Sequence, residues 1–219
     1  MSDSRKLPPP GGAFRRAGIK HTPGLAKELL QEMAPLLAEE GIDLDDPSTF
    51  DASTIDATLD RIVERKNAET FTAVGPARAE AVHLLRLTSR YFAEEDLEGV
   101  ELFLDGVEPD PSDRDEASVA QVIGVALKLL DSWSSDPRAA ILFSEARAPE
   151  WRNRARHAAA DIFEFAQTGR AFSSLRTLVV KNGGIALLEG SVLAVGGMVI
   201  AWAVDDGVDV VTMAERVIV

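Results

Sequence analysis

Between Ile185 and Val204 the chain reads IALLEGSVLAVGGMVIAWAV, twenty residues with one charge, Glu189, and three glycines. Such a segment has to leave water, and three structures allow it. As a helix it can form the centre of a soluble core, and about 20 apolar residues are also long enough to cross a bilayer. As strands it can fold back on itself, because Lys181-Asn-Gly-Gly184 and Asp205-Asp-Gly207 carry hairpin-turn chemistry on either side of Val- and Ile-rich runs.

Arg170, Arg176 and Lys181 before the segment and Asp205, Asp206 and Asp209 after it match a span with its N-terminus inside. Glu189 opposes that reading, since a charge in lipid is costly. So does the sequence after Asp205, which reads as another half-buried element. The residues favour a buried helix first, a membrane span second and a β-hairpin third. Ala186, Gly190, Ala194, Gly197 and Ala201 recur at helical spacing. Such small residues predict close helix packing, within the chain or in a homo-oligomer.

Upstream, helix signals come at short intervals. Thr22-Pro23 and Gly41 bound a helix over 23–40, with Leu25, Leu29, Met33, Leu36 and Leu37 on one face and a kink expected at Pro35. Ser53 with Asp56 resembles a capping box and opens a helix to about residue 66. Gly75-Pro76 opens the next, to about Ala93, and a short helix follows over 96–104. Val119, Val122, Ile123, Ala126, Leu127, Leu130 and Trp133 form the most regular amphipathic stripe. Asp136-Pro137 starts a helix over 137–146, and Pro149 starts another that stops at Gly169. The expected fold class is mainly α: a multi-helix bundle or orthogonal helical array with a very apolar C-terminal segment over 185–204.

The net charge of −13 is unevenly spread. Residues 1–20 carry five bases and one acid, residues 28–116 carry 24 acids and seven bases, and residues 117–219 are nearly balanced. Four regions follow. Residues 1–21 are a basic arm expected to be disordered, 22–106 an acidic helical half, 107–116 an acidic Pro-rich linker, and 117–219 a second helical half. Such acidity disfavours a surface-wide grip on nucleic acid. It directs attention to the acidic half as the surface for a protein partner, with Asp43, Asp45 and Asp46 as candidate interaction residues.

Arg147, Arg152, Arg154, Arg156 and His157 are the basic counterpart, the only local concentration of positive charge in the folded part. On a helix starting at Pro149, residues 152 and 156 share one face while 154 points elsewhere. They are candidates to pair with the acidic half, or to contact nucleic acid if the chain is a regulator.

Chemistry-bearing motifs are few. The absence of Cys excludes disulfides, zinc ribbons, iron–sulfur clusters and a thiol nucleophile. Asp43, Asp45, Asp46 and Asp51 fail the EF-hand pattern, lacking the loop glycine and the closing glutamate. Glu80 and His83 form one E-x-x-H pair where di-iron bundles use two. Neither a G-x-S-x-G elbow nor a glycine-rich phosphate loop occurs. No catalytic residue, cofactor or metal site is therefore assigned. The expected function is a non-enzymatic, self-associating protein–protein interaction module of the cytoplasm. The alternatives are a C-terminally membrane-anchored protein with a cytoplasmic body, a nucleic-acid-binding regulator using Arg147–Arg156, and an enzyme with a carboxylate site.

Overall fold

The apolar segment forms one helix, and a glycine stands at each end of it. The computed structural model describes residues 33–44, 46, 52–109, 111, 116–145 and 149–219, the side chains of 52, 53, 56, 140, 144 and 145 excepted. Ten helices and no strand occur among these residues. They are α1 (residues 33–39), α2 (Ala52–Thr70), α3 (Gly75–Ala93), α4 (Leu97–Asp105), α5 (Val119–Trp133), α6 (Pro137–Glu145), α7 (Asn153–Ala166), α8 (Leu175–Asn182), α9 (Gly184–Asp206) and α10 (Val210–Val217). The protein is a mainly α helical array, as the helix signals imply.

Helix α9 is apolar all round, which only a fully enclosed helix tolerates in water. Helices α3, α5, α6, α7, α8 and α10 all pack against it, and every residue from Leu187 to Val199 is buried. Leu187, Leu188, Val192, Leu193, Val195, Met198 and Val199 each gain about 1.5–3 kcal/mol from burial. Their gross sum, roughly 10–20 kcal/mol, matches or exceeds the whole net stability of an ordinary domain. The helix cannot leave this core without unfolding it. By length and hydropathy α9 is also capable of crossing a membrane, but here that apolar surface faces protein.

The β-hairpin reading of 181–207 is corrected by the chain's turns. Gly207 is left-handed at φ +64° and caps α9, with the Val208 N–H donating to the Ala203 carbonyl at 3.0 Å. The same glycine chemistry that closes a hairpin here closes a helix.

The chain divides into two compact units, residues 1–66 and 67–219. In the first, Leu37, Ile42 and Ile62 are buried among Met33, Leu36, Leu44, Ile55 and Leu59, and Arg65 pairs with Glu40 at 2.7 Å. The second holds the larger core, to which α3 to α10 all contribute. The division therefore does not fall at the acidic linker 107–116. The helices on either side of it, α4 and α5, belong to one core: Val119 N–H donates to the Glu108 carbonyl at 3.0 Å, and the Ala117 N–H donates to the Glu80 carboxylate. The proposed arm, residues 1–21, lies outside the described residues, as do the start of the helix expected over 23–40 and the side chains of Ser53 and Asp56.

Local capping explains several boundaries. Asp96 accepts from the Gly99 N–H at 2.9 Å and starts α4. Ser118 and Gln121 make a reciprocal capping box at the head of α5. The helix expected from Pro149 begins instead at Asn153. Residues 149–152 stay non-helical, Arg152 having ψ 132°, and the Trp151 ring packs edge-on against Phe92 at 5.6 Å. Helix α8 has no counterpart among the expected elements. Its lead-in is held by Asp131, whose carboxylate accepts from the Ala171 and Phe172 N–H groups at 2.7 and 2.9 Å.

Candidate functional site

Helix α4 turns two different faces to its surroundings. Val100 and Leu104 point into the core at 0% and 9% exposure, while Leu102 is 79% exposed. Glu98, Leu102 and Asp105 lie four and three residues apart, so they line one outer stripe. The turn before the helix adds Glu94 and Glu95, both exposed. Glu95 holds a left-handed backbone at φ +58°, a conformation that costs a non-glycine residue about 1 kcal/mol or more. The Asp96 N–H bonds the Tyr91 carbonyl at 2.9 Å and fixes that turn.

Beside the stripe runs a groove of about 360 Å³. Leu84, Leu102, Phe103, Val107 and Pro111 line it with apolar surface, and Glu80, Glu108 and Glu116 supply carboxylates. Glu80 is engaged by the Ala117 N–H, and Glu94 pairs with Arg90 at 2.7 Å. Glu95, Glu98, Asp105, Glu108 and Glu116 form no ion pair among the described residues. Unneutralised carboxylate thus surrounds an exposed leucine and an apolar groove.

A second arrangement of charge lies inside the core. Glu189, with its side chain 4% exposed, accepts hydrogen bonds from two arginines. Arg152 Nη1 reaches Oε1 at 2.6 Å, and Arg154 donates from Nε to Oε2 at 2.7 Å and from Nη2 to Oε1 at 2.6 Å. Arg152 also reaches Glu101 of α4 at 3.0 Å. Hydrogen bonding to Glu189 is the main cause holding both guanidinium groups above the usual arginine value. The one charge in the apolar segment is neutralised by residues 37 and 35 positions away in sequence, which is how a carboxylate becomes tolerable in a low-dielectric core.

The sequence-derived candidates distribute unevenly over these places. Asp43 and Asp46 are exposed in the turn after α1, joined by an Asp46 N–H to Asp43 carbonyl bond of 3.2 Å; Asp45 and Arg147 lie outside the described residues. Arg152 enters the Glu189 cluster and Arg156 is exposed on α7. The expectation that residues 152 and 156 share a helical face while 154 points elsewhere is corrected. Because α7 starts at Asn153, Arg152 is its N-cap, and residues 152 and 154 meet at Glu189.

In the small-residue stripe, Gly190, Ala194 and Gly197 are buried within the chain, and Ala186 and Ala201 are half-buried. A β-carbon on Gly190 would lie 2.5 Å from Ala158 Cβ and 2.9 Å from the Ala159 nitrogen, so α7 occupies that face. His83 is exposed, and no cluster of three metal-ligating side chains occurs among the described residues. Leu102 is not among the sequence-derived candidates, although a helical projection of residues 97–105 turns this leucine outward between Glu98 and Asp105.

No protein family, curated protein or solved structure matches this chain.

Proposed function

We propose that this chain is a non-enzymatic helical interaction module whose α4 face receives a basic segment of a partner protein. The observation that carries the reading is the unpaired carboxylate stripe around Leu102, 79% exposed. Folding explains neither the exposed leucine nor the bare charges. A partner segment with one apolar side chain flanked by Lys or Arg would bury the leucine and neutralise Glu98, Asp105 and Glu108. Charged rims steer such encounters, and a buried apolar anchor slows dissociation. Burial of α9 supports a soluble protein over a membrane-anchored one, and the cytoplasm is the compartment proposed with it. Engagement of Arg152 and Arg154 by Glu189 leaves less free positive charge for nucleic acid. Self-association is part of the proposal only through exposed surfaces such as this one, since the centre of the small-residue stripe is already occupied.

Selection of a displayed random peptide library on the full-length protein tests it. The proposal expects enriched peptides carrying an aliphatic or aromatic anchor between basic residues, with binding that weakens as salt is raised. Peptides that bind the Glu98→Lys/Asp105→Lys protein equally well, or no enrichment at all, would refute it.

A further inference from the structure

A cleft of about 590 Å³ opens in the unit 67–219 where α3, α5, α9 and α10 come together. Its size falls within the ~300–1,000 Å³ typical of small-molecule sites. Val125, Leu129, Trp133, Trp202 and Met213 give it apolar and aromatic walls. Trp133 and Trp202 meet edge to face at 4.9 Å, and the Trp133 indole N–H donates to the Val217 carbonyl at 3.3 Å. Trp202 is 4% exposed, and its indole N–H is buried without an acceptor among the described residues.

Charge in the cleft runs against the acidity of the whole molecule. Arg78, Lys128, Arg138 and Arg216 line it, with Asp136 and Asp206 as the acidic side chains. Both acids are already taken. Asp206 pairs with Arg138 at 3.2 Å and Arg216 at 3.0 Å, and Asp136 accepts from the Arg138 backbone N–H at 2.8 Å. That leaves Lys128 with no carboxylate partner among the described residues. Arg78 is already engaged, donating to a main-chain oxygen of Val219, the last residue of the sequence, at 2.9 Å. The Lys128 ammonium donates to Thr72 Oγ1 at 2.8 Å and stands 4.4 Å over the Phe172 ring, which fixes its position with N–H donors to spare. Burial, then the charge of Arg78, holds the Lys128 ammonium below the usual lysine value; an anion placed beside it would offset the repulsion from Arg78.

We propose that this cleft binds a small organic anion with an apolar body, its anionic group at Lys128, beside Arg78, and its body against Trp133 and Trp202. Carboxylate, sulfonate or phosphate would each satisfy the ammonium. The aromatic walls set the requirement for an apolar body, flat or acyl.

Two dyes of nearly equal shape test this on the full chain: anionic anilinonaphthalene sulfonate and neutral phenylnaphthylamine. The sulfonate should bind saturably, quench tryptophan emission, and bind at least about tenfold more tightly than the neutral dye. Lys128→Met should weaken the sulfonate about tenfold or more and leave the neutral dye unchanged, whereas Arg156→Met, outside the cleft, should change neither. Arg78→Gln is the second variant, read alongside circular dichroism so that a misfolded protein is not mistaken for a lost site. Displacement of the sulfonate by naphthoate would assign a flat body and by decanoate an acyl one. The proposal is overturned if folded Lys128→Met and Arg78→Gln bind the sulfonate as the parent does, if the neutral dye binds as tightly, or if neither carboxylate displaces it.

Discussion

Glu189 and the carboxylates of α4 have the same chemistry in opposite settings. Glu189 sits in the second turn of the most apolar helix, 4% exposed at its side chain, with three hydrogen bonds from two arginines. Glu98 and Asp105 flank a leucine that is 79% exposed and meet no cation among the described residues. A charge in the core forces the fold to supply counter-charge at hydrogen-bond distance, because an unpaired one would cost several kcal/mol. A charge in water makes no such demand. Pairing therefore marks structure, and the bare stripe, joined to a leucine that burial has not claimed, marks a surface that folding leaves unexplained.

The comparison can be broken at either side, and the inner side carries the largest effect. Replacing both Arg152 and Arg154 by Met strands Glu189 and should lower stability by about 3–5 kcal/mol in denaturant unfolding. Asp131→Ala should cost about 2 kcal/mol, since the Ala171 and Phe172 N–H groups lose their acceptor.

Burial raises the Asp131 pKa against the opposing pull of those two bonds, so the folded protein binds this proton more tightly than the unfolded chain. The stability of the parent relative to Asp131→Asn should then be greatest below the unfolded carboxylate value of about 3.9 and decline as pH rises through the folded one. Paired unfolding curves across acid pH check that sign.

On the outer side, Leu102→Ser should alter stability by no more than about 0.5 kcal/mol while abolishing capture of the selected peptides. A loss of stability larger than that would mean the leucine serves the fold. A similarly small change in stability, of opposite sign, is expected at Glu95, where φ is +58°. Glu95→Gly removes the left-handed strain but adds backbone freedom to the unfolded chain, for a net gain of about 0.5 kcal/mol.

Local signals carry much of this architecture. The Gly75-Pro76 start predicts α3 to within a residue, the stripe from Val119 to Trp133 coincides with α5, and twenty apolar residues mark out the centre of α9. The Ser118 and Gln121 capping box is equally local, and the sequence reading passes over it. What the sequence hides is the set of contacts that local pattern does not encode. Arg152 and Arg154 lie 37 and 35 residues from Glu189, and they meet it only because α7 begins at Asn153 rather than at Pro149. Helix α8 is only eight residues long, and its lead-in is held by Asp131, 40 residues before Ala171. The acidic half is legible as composition, but it takes α4's orientation to narrow it to Glu98, Leu102 and Asp105.

The central claim is that α9 is a core helix whose single charge is held by Arg152 and Arg154, and reversal of the damage tests it most directly. Adding Glu189→Met to the Arg152→Met/Arg154→Met protein removes the stranded carboxylate. Urea unfolding without detergent should show the triple variant recovering most of the stability lost in the double one, since an apolar replacement of a buried ion pair is often neutral or better. A double variant as stable as the parent, or a triple variant no more stable than the double, would contradict the account.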